Sequence, residues 1–290
     1  MTAVSDAPSA ARGEGAGRRG PGSLTLRVLS GMVLIPFLLG VAYFGNPTYA
    51  VLICAATGFA AFEVRGMLRH GGYTPVDALL IGLATLLPLD AWLRPGPDSG
   101  TDATLIVMVA LLLSLAWMLV RPTSERALVD WALSLALALY LGGLMQFYLP
   151  LRGLPSGTPG AWVIGLLLLS WACDSTAYFV GRAFGRRRLA PTISPKKSVE
   201  GAIAGLVGAC AAGVLFGLVF GAPPLLSAGY GLAIGVATIV GDLVESLLKR
   251  QMGAKDSGVL IPGHGGLLDR MDSLLFCAPI AVFYLHLFAT

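Results

Sequence analysis

The sequence predicts an all-α fold, a polytopic integral membrane helical bundle of about nine transmembrane helices. Three observations predict it. Apolar types make up 56% of the 290 residues and charged types 12%, about half the charged share of a soluble domain. Mean hydropathy is +0.77. The apolar residues form continuous runs close to the ~20 residues that cross hydrocarbon, without the alternation of a membrane β-strand. This balance excludes a disordered chain, a disulfide scaffold and an ordinary cytosolic enzyme. Cys54, Cys173, Cys210 and Cys277 lie far apart in apolar runs. They read as small core residues without a redox or zinc role.

Taken in order, residues 1–23 are rich in Gly, Ala, Ser and Arg and read as a disordered cytoplasmic tail. They lack a cleavage site, so no signal peptide is expected. Spans are expected near 26–45, 48–67, 76–93, 103–120, 128–150, 161–182, 199–220, 225–249 and 268–288. The third is short and holds Pro88 and Asp90. With the N-terminus inside, Arg94 and Arg152 fall outside, and the other 18 of the 20 basic residues fall inside. That asymmetry predicts a multi-pass protein of the cell membrane with a cytoplasmic N-terminus. The chain divides into the tail, N-terminal spans over 24–160, and a charged segment of spans and cytoplasmic loops over 161–290. The inside connections 183–198 and 250–267, the two longest, hold seven of the 20 basic residues, so any chemistry is expected at the cytoplasmic face.

Carboxylates inside spans are costly and usually functional. Asp174 lies eight residues before Arg182, and Asp242 seven before Lys249. At about 1.5 Å per residue each sits roughly 10–12 Å below the cytoplasmic boundary. Pairing with a nearby Arg or Lys is the plain alternative. Asp242, Glu245, Ser246 and Lys249 share one helix face. Asp269 and Asp272 open the last span, where acids also suit the helix dipole without any function. Gly263, Gly265 and Gly266 before them would let backbone N–H groups approach a phosphate. His264 lies between those glycines and reads either as a ligand contact or as a solvated loop residue.

Arg186, Arg187 and Arg188 read most simply as anchors to anionic lipid. Ser194-Pro195-Lys196-Lys197-Ser198 is more structured and places dense positive charge near a helix start, which suits a polyphosphate. Acids with few histidines and no cysteine pairs select a hard cation such as Mg²⁺. Mg²⁺ with Lys, Arg and backbone N–H nearby is the apparatus of phosphoryl or nucleotidyl transfer. Neither GxxxxGK[ST] nor GxGxxG after a strand is present.

Residues Ser246 to Asp272 read S-x-x-K-R-x4-K-D, a spacer, then H-G-G-x-x-D-R-x-D. This 27-residue stretch, with about ten fixed positions, resembles the signature of the phosphatidate cytidylyltransferases (CDP-diacylglycerol synthases). Asp174-Ser-Thr-Ala177-Tyr178-Phe-Val-Gly181-Arg182 and the 194–198 segment also look like family motifs. The resemblance covers 161–290 well and the first 160 residues only in hydropathy. Val199 departs from the family's usual tryptophan, at a position that carries no chemistry.

The resemblance implies that CTP and phosphatidic acid give CDP-diacylglycerol and pyrophosphate, committing phosphatidate to phospholipid synthesis. It assigns Asp174, Asp242, Asp269 and Asp272 to Mg²⁺, with a second cation left open. Lys255, Arg270, Lys249, Lys196 and Lys197 would neutralise phosphates, Asp256 would orient Lys255, and His264 would contact a phosphate or the leaving group. Ser194 and Ser198 would donate to phosphate oxygens, with Ser246, Arg250, Gly265 and Gly266 completing the substrate-binding set. The lipid bilayer is the other partner, and no nucleic acid is expected.

Gly201, Gly205, Ala209 and Gly213 stand four apart. They would serve close packing within the chain or, given the family's tendency to form homodimers, a subunit contact. Two other functions compete with this reading. One is nucleotidyl transfer to another lipid phosphate. The other is cation transport along Asp174, Asp242 and Glu245, although no inverted repeat relates the halves. The D-x-x-D-G-x-x-A-R signature of CDP-alcohol phosphotransferases is missing.

Overall fold

The computed structural model describes residues 23–95, 99–120, 125–258 and 265–288. They form a helical bundle with one small hairpin. In chain order the helices are α1 (Ser23–Phe44), α2 (Thr48–His70), α3 (Asp77–Leu93), α4 (Ser99–Val120) and α5 (Ala127–Ala138). A π-helical turn (Leu139–Gly143) and α6 (Tyr148–Gly153) follow. Then come α7 (Ala161–Phe184), β1 (Arg188–Ala190), β2 (Ser194–Ser198), α8 (Val199–Phe220), α9 (Pro224–Gln251) and α10 (Leu268–Phe288). Backbone polar groups have no water to meet in hydrocarbon, so continuous apolar runs become helices that satisfy their own.

Each of the nine expected spans has a helical counterpart, but not all are full crossings. Seven described segments are long and apolar enough to cross a membrane. The fifth of the expected spans is α5, the π turn and α6 together, over Ala127–Gly153. Helix α3 has 17 residues, about 25 Å of rise against a ~30 Å hydrocarbon core. The apolar described part of α1 is Met32–Phe44. The protein is a multi-pass, all-α membrane bundle.

Among the described residues, the expected loop 183–198 contains the two β-strands. β1 and β2 pair antiparallel, with Arg188 opposite Ser198 and Ala190 opposite Ser194. The Glu200 carboxylate accepts the Arg186 and Arg187 N–H groups at 3.0 and 3.2 Å, which pins the start of this hairpin to α8. The Ser198 hydroxyl caps α8 by accepting the Gly201 N–H at 3.1 Å.

Packing differs between the halves. α7, α8, α9 and α10 pack successively on one another. A Cβ added at Gly231 of α9 would collide with the Ala209 carbonyl of α8, so only glycine lets these two helices touch backbone to backbone. The four-spaced stripe lies in the same contacts. Gly201 and Gly205 face α7, while Ala209 and Gly213 face α9. It therefore packs inside the chain.

The first half is held by large side chains and a few polar links. Arg65 and Arg69 both pair with Asp77, at 2.8 and 2.7 Å, joining α2 to α3. The Ser134 hydroxyl accepts the Val76 N–H at 2.9 Å, which ties α5 to the start of α3. Among the described side chains of α4, only Ser114 is buried, and it accepts a hydrogen bond from the Trp131 indole at 2.9 Å. Leu112 and Leu119 of α4 point outward, as lipid-facing residues do.

Candidate active site

Four helix ends and the hairpin meet at one end of the bundle. There a cavity of about 600 Å³ opens between α1, α2, α7, α9 and α10. One part of its wall carries Asp174 and Ser175 of α7, Asp242 of α9, and Asp269, Arg270 and Asp272 of α10. The rest is apolar, including Leu34, Phe37 and Leu38 of α1, Leu52 and Ile53 of α2, and Leu167 of α7. A larger cavity of about 920 Å³ lies at the opposite end, near Trp92, Phe147 and His286, and no carboxylate lines it. Its Arg152 is engaged with the Ala42 and Tyr43 carbonyls at 3.0 and 3.2 Å. The polar chemistry therefore belongs to the smaller cavity.

Asp174, Asp242 and Asp272 come from three helices, yet they are close enough for their charges to act on one another. Lys197 of β2 reaches over to form an ion pair with Asp242, so the hairpin is fastened to α9 at the cavity. Asp272 accepts the Ser273 N–H at 2.6 Å. The Ser246 hydroxyl lies 3.4 Å from Asp242.

Behind these acids lies an ion network. Glu245 is fully buried. The Lys249 ammonium sits 2.7 Å from Glu245 and 2.6 Å from Asp269. Asp269 Oδ2 also accepts the Ser257 N–H at 3.0 Å, the Ser257 hydroxyl at 2.9 Å and the Gly266 N–H at 2.8 Å. A buried and a half-buried acid thus share one ammonium, and backbone N–H groups supply part of the remaining compensation.

These contacts show what the expected residues touch within the chain. Asp269, expected on metal, has both oxygens engaged by protein donors, which ties Lys249, Ser257 and Gly266 to the start of α10. Lys249, expected on phosphate, is held between two carboxylates. Ser198, expected as a phosphate donor, is a buried helix cap. Arg250 donates to the Ala254 carbonyl at 3.3 Å and closes the end of α9. No ion pair joins Lys255 to Asp256 among the described residues, and both side chains are exposed. Lys196 is exposed on the hairpin and Ser194 half-buried. His264 lies outside the described residues. Gly265 has a φ of +80°, a conformation L side chains rarely adopt, and it leads the chain into Gly266 beneath Asp269.

Sequence reasoning missed Glu63, Ser257 and Ser175. The Glu63 carboxylate accepts hydrogen bonds from Leu267, Leu268 and Ser257 across the bundle. Its signal was available, since it is an acid within the second expected span.

No three of His, Cys, Asp and Glu are gathered as a ready metal cluster among the described residues. The described polar wall nevertheless offers carboxylate and hydroxyl oxygens without a thiol or imidazole. That donor set fits a hard divalent cation.

Comparisons with known proteins identify the family. A family model described as the cytidylyltransferase family matches residues 25–288. The chain is similar to the phosphatidate cytidylyltransferase of Bacillus subtilis, at 36% identity over 91% of this chain and 98% of that protein. It is similar to that of a Synechocystis strain at 33%, over 91% and 97%. The Thermotoga maritima protein of the same name shows 40% identity over 52% of this chain and 57% of its own. The match runs through both halves of the bundle, from the apolar wall of α1 to the end of α10, and on that extent the chain belongs to the cytidylyltransferase family.

Proposed function

We propose that the chain is a phosphatidate cytidylyltransferase, joining CTP and phosphatidic acid to give CDP-diacylglycerol and pyrophosphate. One observation carries the reading: a single cavity is acidic along one part and apolar along the rest. The substrates divide the same way. The phosphate groups belong near Asp174, Asp242, Asp272 and Arg270, and the acyl chains lie along α1 and α2.

In the reaction, an anionic oxygen of the phosphatidate phosphate attacks the α-phosphorus of CTP. The new P–O bond forms as the bond to the β-phosphate oxygen breaks, and pyrophosphate leaves with that electron pair. The nucleophile is already charged, so it needs little general-base help. The barrier lies in bringing polyanions together, and positioning and countercharge lower it. Asp174, Asp242 and Asp272 would hold Mg²⁺, which supplies countercharge to the phosphates when bound. Asp269 and Lys249 tie Glu245, Ser257 and Gly266 together beside the site. Lys197 bridges the hairpin to Asp242, and Arg270, Lys196 and Lys255 supply positive charge around the cavity mouth. The basic residues concentrated at this end support a cytoplasmic site in the cell membrane. The small-residue stripe of α8 gives no support to a homodimer, because it packs within the chain.

The test is pyrophosphate release by detergent-purified protein with CTP, phosphatidate and Mg²⁺. Turnover is expected to require all three, to stop with EDTA and to return with added Mg²⁺. Asp242→Ala is expected to lower it by about 10³-fold or more while the protein stays folded. Release with another lipid phosphate but not phosphatidate would move the acceptor. Release in Asp242→Ala at near wild-type rate would refute the role given to that acid.

A further inference from the structure

Among the described residues, helix α10 begins without a side-chain cap of its own. Its first N–H groups have no partners within the helix, and the residue just before it is Leu267, whose side chain cannot accept a hydrogen bond. Asp269, the acid in its first turn, is already engaged by Lys249, Ser257 and Gly266. The acceptor comes instead from α2. Glu63 Oε1 takes the Leu267 N–H and Oε2 takes the Leu268 N–H, each at 2.9 Å. Oε2 also lies 3.1 Å from the Ser257 hydroxyl. A carboxylate at this end also complements the helix dipole.

The surroundings are shaped for that carboxylate. A Cβ on Gly258 would stand 2.8 Å from Glu63 Oε1, and one on Gly266 2.6 Å from Oε2 and 2.0 Å from the Ser257 hydroxyl oxygen. Both glycines therefore leave the room the carboxylate fills. Asp272 lies one turn further along α10, so the height and rotation of the helix start decide where its carboxylate enters the cavity.

We propose that Glu63 is a positioning residue for cytidylyl transfer, capping α10 from the opposite half of the bundle and thereby setting the place of Asp272. The inference rests on the function proposed above for its kinetic part. Its structural part stands on the hydrogen bonds alone.

The experiment compares wild type, Glu63→Ala and Glu63→Gln as full-length protein in detergent. Glu63→Ala is expected to lower kcat roughly 10–100-fold, the range seen when supporting residues of a metal site are removed. The KM for CTP should change less than about threefold, because the residue touches no substrate. Half-maximal activation should need more Mg²⁺. Amide hydrogen exchange at residues 267 and 268 should quicken, a readout that does not depend on turnover. Glu63→Gln keeps a carbonyl acceptor and should recover part of the kcat. Should Glu63→Ala not fold, Gly258→Ala perturbs the same contact by crowding the carboxylate alone, and it should show the same loss of kcat and the same faster exchange.

Wild-type kcat per folded molecule in Glu63→Ala, with only the melting temperature lowered, would overturn the positioning role. So would wild-type kcat in both Glu63→Gln and Gly258→Ala. Unchanged exchange at 267 and 268 would overturn the cap itself. A wild-type protein that turns over no lipid phosphate would sink the proposed reaction and the kinetic claim with it, while the exchange result would still decide the cap.

Discussion

The two halves of the bundle build one cavity by different means. Helices α7, α9 and α10 supply its acids, and those acids sit in short sequence motifs. Helices α1 and α2 supply an apolar wall, made of leucines, isoleucine and phenylalanine that look like any other span. The second half is held by backbone contact between α8 and α9 and by ions buried between α9 and α10. The first half is held by side-chain packing and by polar links such as Arg65–Asp77. Chemistry in this protein is local in sequence, while the shape that receives a substrate is assembled over long range.

The largest way to break that contrast is through the buried ions. Lys249→Met removes the ammonium between Glu245 and Asp269 and leaves Glu245, at 0% exposure, facing no countercharge. Breaking such a pair from one side is worth about 3–5 kcal/mol. The expected result is a large drop in the thermal midpoint in detergent, together with loss of turnover. Adding Glu245→Gln to Lys249→Met should recover much of the stability, because the uncompensated charge is then gone. A Lys249→Met protein as stable as wild type would mean that the network does not hold α9 to α10.

A smaller effect is expected from the helix contact. Gly231→Ala places a methyl group against the Ala209 carbonyl, with Cys210 Cα at 3.0 Å. Backbone on that side cannot rotate away, so the helices must separate, at about 1–3 kcal/mol. Thermal unfolding should report this loss, and the KM values should stay near wild type because Gly231 does not line the cavity.

The same contrast explains what could be read from the chain. Hydropathy located every helix, because an apolar run in a bilayer has no other way to satisfy its backbone. It did not register that α3 is short for a full crossing, or that the fifth run is interrupted by a π turn at Leu139–Gly143. Those features depend on neighbouring helices. The spacing of Asp174 and Asp242 before their basic residues placed both acids at one depth, and both line the cavity. The β1–β2 hairpin was not foreseen, since Ser194–Ser198 lacks the alternation of a strand and pairs within a short loop. Nor could sequence separate Asp272 from Asp269. The two are three residues apart in one motif, and only the partners of Asp269, drawn from α9 and the loop, show that its oxygens are engaged. Glu63 carried a signal as an acid within an expected span, but its role did not show, because its partners are about 200 residues away.

The apolar wall gives the finest test. Leu52 of α2 lines the cavity, whereas Leu112 of α4 is 65% exposed on the outer surface. Both are leucines in apolar spans, and composition alone cannot tell them apart. Leu52→Trp adds bulk where an acyl chain would lie. It is expected to raise the KM for a long-chain phosphatidate about tenfold, the equivalent of ~1.4 kcal/mol, with the KM for CTP unchanged. The increase should shrink as the acyl chains are shortened, because a shorter chain reaches less of the wall. Leu112→Trp should leave both KM values unchanged and move stability by less than about 0.5 kcal/mol, as for an outward-facing position. If Leu52→Trp raised both KM values equally, the bulk would be disturbing the acidic end as well. If it changed neither, the lipid would enter along another face, and the first half would serve the fold without shaping the substrate.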